Sequence, residues 1–235
     1  KQLWEIRKVV TKLMKDAQDC FHEMLKPQLS DEGIELYHYS ELNKAQKSRV
    51  DAYYKEVIFP VLTPLAFDPG HPFPYISNLS INLAIRVKDK KGNIYFARLK
   101  VPGSLPHSLP VHKAAYDETP RAKRVKKYAF VPIDEVIIAN LGDLFPGLEV
   151  IDAYPFHVVR NAEIEFQSIE VMDLLEMMEE SVRRRRFGSV VQLLICSDMP
   201  EEILKILVGN LKIDPQFIYS FDNFIILRYL SQIAQ

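Results

Sequence analysis

The chain has 235 residues, of which 48% are hydrophobic and 26% charged, with a formal net charge of -1. These values suit a chain able to bury a real core, and they exclude disordered, fibrous and histone-like polyanion-binding classes. No apolar run approaches the ~20 residues of a bilayer span, and no signal peptide opens the sequence.

The expected compartment is therefore the cytoplasm. The two cysteines, Cys20 and Cys196, lie outside any CxxC or zinc-like spacing and are expected to be reduced thiols. The first residue is Lys1, and the opening already has helical character, so the sequence reads as a piece excised from a longer chain.

In chain order, Leu3, Ile6, Val10, Leu13, Ala17, Cys20, Phe21 and Met24 recur at steps of three and four. That spacing predicts a long amphipathic helix ending near Pro27, whose stripe needs a partner surface, in part from sequence beyond this chain. Gly33 to Leu36 reads as a short extended piece, and Ser40 as the N-cap of a second helix with Leu42, Val50, Tyr53, Tyr54 and Val57 on its apolar side. Pro60, Pro64, Pro69, Pro72 and Pro74 then exclude a helix or a central strand and predict a shaped, extended connector.

From Ser80 the period changes to two. Ile81, Leu83, Ile85 and Val87 alternate with Asn82, Ala84, Arg86 and Lys88, which predicts a strand with one buried face. A turn at Asp89 to Asn93 returns the chain through Ile94 to Val101 as a hairpin. Ile94 and Phe96 share one parity while Leu99 and Val101 share the other, predicting a bulge near Ala97 or Arg98.

Pro102 to Pro120 reads as a long loop, followed by a strand at Tyr128 to Val131, a helix from Pro132 to about Leu141 and a turn at Phe145-Pro146-Gly147. Val150 to Ile164 reads as extended with an interruption at Pro155. A helix is expected from Ser168 to Arg186, ended by Gly188, then a strand from Ser189 to Cys196 covered on both faces. A helix opened by Pro200 is expected to stop at Gly209-Asn210, and Phe217 to Ile233 to combine an extended piece with a terminal helix. The order of elements gives an α+β fold: a mixed, mostly antiparallel sheet with packed helices, preceded by a helical segment.

Chemistry is sparse. The phosphate-loop, dinucleotide, zinc-protease and serine-hydrolase motifs are absent. His22, His38, His71, His107, His112 and His157 are scattered, with no neighbouring carboxylate at a spacing that would tune them as bases. Arg183 to Arg186 span most of a helix circumference and cannot all face one ligand. Pairing of Arg183 with Glu179 and Arg184 with Glu180, together with the helix dipole, is the structural reading; bidentate phosphate binding is the functional one. Arg160-Asn161-Ala162-Glu163 is either a site at a strand end or a turn held by Asn161. The basic stretch from Lys113 to Lys127 is either a solvated loop or a reach toward phosphates.

Several segments resemble the middle region of bacterial polyphosphate kinases. They are Phe59 to Ala66, His71-Pro72-Phe73-Pro74, Ser77 to Ala84, Phe96 to Pro102, Phe145-Pro146-Gly147, Arg160 to Glu163, Arg183 to Gly188 and Asp198-Met199-Pro200. The resemblance implies that residues 1–58 end an N-terminal helical domain and 59–235 form the head domain.

It also implies an intact enzyme that reversibly transfers the terminal phosphate of ATP to polyphosphate through a phosphohistidine, using Mg2+. In such enzymes the catalytic histidines sit in C-terminal domains that are absent here. No catalytic residue, metal ligand or cofactor is therefore expected in this stretch, and it is expected to be inactive alone.

Its implied partners are the C-terminal catalytic domains, polyphosphate and further copies in a homo-oligomer, with the intact enzyme cytoplasmic or membrane-associated. Arg98, Lys100, Arg160, Arg183 and Arg184 are the candidate walls of a polyphosphate path, since a linear polyanion needs cationic walls. Two alternatives are a stand-alone polyanion or nucleic-acid module using Lys113 to Lys127, though no nucleic acid is expected, and a purely structural assembly domain.

Overall fold

The computed structural model describes residues 2–67, 73–111, 128–161, 188–222 and 230. Its main sheet has six strands: β2 (Pro64–Phe67), β3 (Ile81–Lys88), β4 (Ile94–Lys100), β7 (Glu149–Arg160), β8 (Val190–Cys196) and β9 (Ile218–Phe221). They lie in the order β2-β4-β3-β7-β8-β9, antiparallel except for the parallel β8/β9 pair. A second sheet runs β1-β6-β5, with β1 (Ile34–Leu36) parallel and β5 (Ser108–Pro110) antiparallel to β6 (Tyr128–Pro132). The fold is α+β, mixed and mostly antiparallel, preceded by helices, as the sequence implies.

Two cores sandwich the main sheet. On one face Ile81, Leu83, Ile85, Ala97 and Leu99 pack with α3 (Lys44–Tyr53), its extension through Ile58, the small sheet and α4 (Ile133–Ala139). On the other, Ala84, Phe96, Phe156 and Val158 pack with α5 (Glu201–Leu211). Each fully buried aliphatic side chain contributes about 1.5–3 kcal/mol. The helix that carries Val50, Tyr54 and Ile58 thus shares its core with the sheet.

This two-sided burial corrects two expectations. β3 has no single buried face, because Asn82 and Ala84 are as buried as Leu83. β4 carries no bulge at Ala97 or Arg98; its register with β3 is regular from Lys100 to Ile94. The parity change arises because Phe96 faces one core and Leu99 and Val101 the other. The register shifts fall instead between Arg86 and Val87 in the β3/β7 pair and between Val159 and Arg160 in β7/β8.

Other boundaries differ for local reasons. The first helix, α1 (Gln2–Asp19), does not end at Pro27: a wider π turn (Cys20–Leu25) leads into α2 (Lys26–Asp31). Proline disturbs the turn preceding it, and here that turn is widened, with the Lys26 N–H donating to Phe21 O. The N-cap of α3 is Asn43, not Ser40. Its Oδ1 accepts from the Ala45 and Gln46 N–H groups at 3.0 Å, and Gln46 returns a bond to the Asn43 N–H. Ser40 sits in a short 3-10 turn.

The 102–120 stretch is not wholly loop, since it contains β5; residues 112–127, with the whole Lys113 to Lys127 stretch, lie outside the described residues. β7 runs through Pro155 without interruption. Pro155 O accepts a long contact from Cys196 Sγ, so the side on which proline lacks an N–H faces the very end of β8, where β7/β8 pairing has stopped at Phe156. β8 is fully covered on one face only: Leu193 and Ile195 are buried, while the alternating Gln192, Leu194 and Cys196 are part-exposed. α5 passes Gly209 and ends at Leu211, capped by Lys212 at φ 51°.

Of the proline connector, Phe59–Val61 forms a 3-10 turn with Pro60 inside it, so this end is not extended, while Pro64 opens β2, an edge strand; Pro69 and Pro72 lie outside the described residues. The helix expected over Ser168 to Arg186 and most of the terminal helix lie outside the described residues. Among the described residues no helix is long and apolar enough to cross a membrane.

Candidate functional site

The segment Ser77 to Asn82 ties the neighbouring arginines together. β4 places Arg98 opposite Ala84 of β3 and Leu65 of β2, and Lys100 opposite Asn82. Strand alternation puts both on the Phe96 side of the sheet. Arg98 is only 5% exposed, a rare place for a guanidinium.

Its Nε donates to Asn82 Oδ1 at 2.8 Å. Asn82 is fixed in turn, since its Nδ2 donates to Ser80 O and Ser80 Oγ at 3.0 Å, and Ser80 Oγ donates to Ser77 O at 2.7 Å. The asparagine is thereby oriented to present an acceptor, and not a charge, to the arginine.

Among the described residues no carboxylate pairs with Arg98. Burial alone pushes its guanidinium down to about 10, which leaves it charged at neutral pH. With no counter-charge among the described residues, such burial is expensive, of the order of several kcal/mol, and an anion would offset that cost. Lys100, half-buried, lies one step toward the strand end.

Arg160 is arranged differently. Its Nε donates to Ile76 O at 2.7 Å and Nη1 to Gly188 O at 2.8 Å, while its own N–H donates to Asn78 Oδ1 at 2.8 Å. Its guanidinium carbon lies 4.6 Å from the Tyr75 ring centroid. The Asn161 N–H donates to Ser189 O, and a Cβ on Gly188 would stand 2.1 Å from Asn161 O. Arg160 therefore braces the 75–78 segment and Gly188 against the end of β7. Gly188 is needed for that close approach, apart from any helix it ends.

Of the five candidate wall residues, the structure joins Arg98, Lys100 and Arg160 through the Ser77 to Asn82 segment, while Arg183 and Arg184 lie outside the described residues. The sequence reading missed Asn82 and Ser80 as the groups that orient Arg98. An Asn in the apolar first half of the strand, Ile81 to Ile85, was the available signal. It also missed a carboxylate beside a histidine: His38 Nδ1 is 2.8 Å from Glu135 Oε1, a contact spanning 97 residues of sequence that no local spacing reveals.

Comparison with known proteins is consistent along the chain. The family described as "Polyphosphate kinase middle domain" matches residues 45–233. Polyphosphate kinase 1 of Chlorobaculum tepidum is 40% identical over 94% of this chain, and polyphosphate kinase of Prosthecochloris aestuarii 38% identical over 100%. The chain spans about a third of the length of these two curated relatives, 31% and 32%. The crystal structure of polyphosphate kinase from Porphyromonas gingivalis superposes with a TM-score of 0.76 at 24% identity, over 98% of this chain and 32% of that one, and so shares its fold.

Proposed function

Because this chain belongs to the polyphosphate kinase middle-domain family, we propose that it is the noncatalytic head portion of an enzyme that moves the terminal phosphate of ATP to and from polyphosphate through a phosphohistidine. In this reading ATP and Mg2+ act in the intact enzyme, the reactive histidines belong to C-terminal domains, and the chain alone does not turn over. Its own contribution is to support homo-oligomer contacts and to line the polyphosphate path, with Arg98 as the principal contact and Lys100 beside it. Arg183 and Arg184 are proposed for the same wall on sequence grounds alone.

One observation carries the assignment: Arg98 is a buried guanidinium with an oriented neutral partner and no acid among the described residues. Phosphoryl-transfer enzymes work largely by positioning and charge neutralisation, and a guanidinium matches phosphate oxygens bidentately. Arg160 is proposed as a positioning residue that holds the 75–78 segment.

Equilibrium binding of medium-chain polyphosphate to the purified chain tests this directly. Arg98→Gln is expected to weaken binding by at least about tenfold, and Lys100→Gln by about two- to threefold, as buried and half-buried charge contacts differ. Affinity in the wild type should fall steeply with salt through counterion release. Arg98→Gln binding as tightly as the wild type, with an unchanged circular dichroism spectrum, would remove Arg98 from the path.

A further inference from the structure

A cavity of about 290 Å³ opens where the π turn, the end of β1 and the junction of β6 with α4 meet, with Ile81, Pro155 and Cys196 of the main sheet also lining it. Its walls are largely apolar and include three aromatic rings, Phe21, Tyr37 and Phe130. Phe21 is 2% exposed and therefore a fixed part of the wall. That volume lies at the lower end of ordinary small-molecule sites.

The formal charges lining this cavity are mainly acidic, Asp134, Glu135 and Asp222 against a single lysine, Lys26, with His22, His38, His107 and Ser108 beside them. Glu135 is held in place from both sides, its Oε1 by His38 Nδ1 at 2.8 Å and its Oε2 by the Tyr39 N–H at 2.7 Å. Asp222 Oδ1 accepts from Ser197 Oγ at 2.6 Å. Burial and the adjacent Glu135 charge raise the Asp134 carboxyl to about 6, against the pull of the neighbouring backbone N–H groups and His38. At neutral pH it is still mostly ionised, and a cation beside it would relieve the repulsion.

We propose that this cavity is a binding site for a small organic cation with a flat apolar body, its charge set against Asp134 and Glu135 and its body against Phe21, Tyr37 and Phe130. Aromatic walls beside carboxylates favour such a molecule twice over, through burial of its body and through attraction of its charge to ring faces and acids. The same acids repel phosphates, so the site is separate in chemistry from the one around Arg98, and it does not rest on that assignment.

Calorimetric titration of the whole chain with three phenyl compounds of matched shape tests the proposal: benzamidine, benzyl alcohol and benzoate. Benzamidine is expected to bind with Kd at or below about 1 mM, with benzoate at least about tenfold weaker and benzyl alcohol between them. Asp134→Asn should weaken benzamidine about fivefold or more while leaving benzyl alcohol unchanged. Ile138→Trp, which fills the cavity from α4, should abolish binding of all three. Benzoate binding as well as benzamidine, no benzamidine binding up to about 10 mM, or benzamidine binding retained by a folded Ile138→Trp chain would each overturn it. Because no polyphosphate enters the experiment, its outcome is independent of the proposed path.

Discussion

Arg98 and Arg160 stand at the two ends of one hydrogen-bonded segment and are used in opposite ways. Arg160 directs two donors at backbone carbonyls and rests on Tyr75, so its charge is satisfied within the chain. Arg98 is more deeply buried, yet its described side-chain hydrogen bond goes to a neutral amide. Two arginines that look alike in a sequence thus divide into a brace and a charge held in readiness. What separates them is the partner's chemistry, carbonyl and ring against asparagine.

The largest effect should come from the brace. Arg160→Met removes two charge-assisted hydrogen bonds and the ring contact, and is expected to cost about 3 kcal/mol of unfolding free energy. Chemical denaturation measures this as a lower midpoint at unchanged slope. Polyphosphate affinity of the molecules that remain folded should change by no more than about twofold, since such contacts act through position. If Arg160→Met keeps full stability and loses binding, the two arginines exchange roles and the comparison fails.

A smaller effect is expected one step removed. Gly188→Ala puts a methyl 2.1 Å from Asn161 O, so the backbone must shift and Arg160 loses the geometry of its bond to Gly188 O. Overpacking of this kind costs about 1–3 kcal/mol. Thermal unfolding of Gly188→Ala combined with Arg160→Met would show less than the sum of the two single losses, because the same contact is removed twice. Full additivity would separate Gly188 from the brace.

Much of this architecture is legible in the residues. The hairpin from Ile81 to Val101 follows from period-two alternation and the Asp89 to Asn93 turn, and Gly92 at φ 89° supplies the turn's positive φ. The bulge expected near Arg98 fails because a central strand covered on both faces carries two apolar parities at once, which a one-sided pattern does not anticipate. Asn43 outcompetes Ser40 as a cap because Gln46 completes the reciprocal pair.

The arginines themselves were visible as candidates, but their division was not, since it depends on Ile76, Gly188 and Asn82, up to 84 positions away. The same holds for His38 and Glu135, which are joined only by the fold. The apolar stripe of the first helix was legible, and it remains uncovered at Leu3, Ile6 and Leu13, each more than half exposed, while Arg7 anchors the helix to Pro215 O and over Tyr219.

The smallest change in stability should accompany the sharpest test of Arg98. Asn82→Asp replaces the neutral acceptor, 2.8 Å from Arg98 Nε, with a carboxylate. The gain is a charge-assisted hydrogen bond in place of an ordinary one, about 1–2 kcal/mol better. The loss is the pair of bonds from Asn82 Nδ2 to Ser80, of similar combined size. Unfolding free energy is therefore expected to stay within about 1 kcal/mol of the wild type. The guanidinium, now neutralised in place, should return toward its ordinary pKa and lose most of its attraction for an outside anion, so polyphosphate binding falls by about tenfold. Unaltered binding in this variant would mean that Arg98 holds the sheet together and nothing more, because a guanidinium waiting for phosphate cannot be indifferent to a carboxylate placed on its nearest partner.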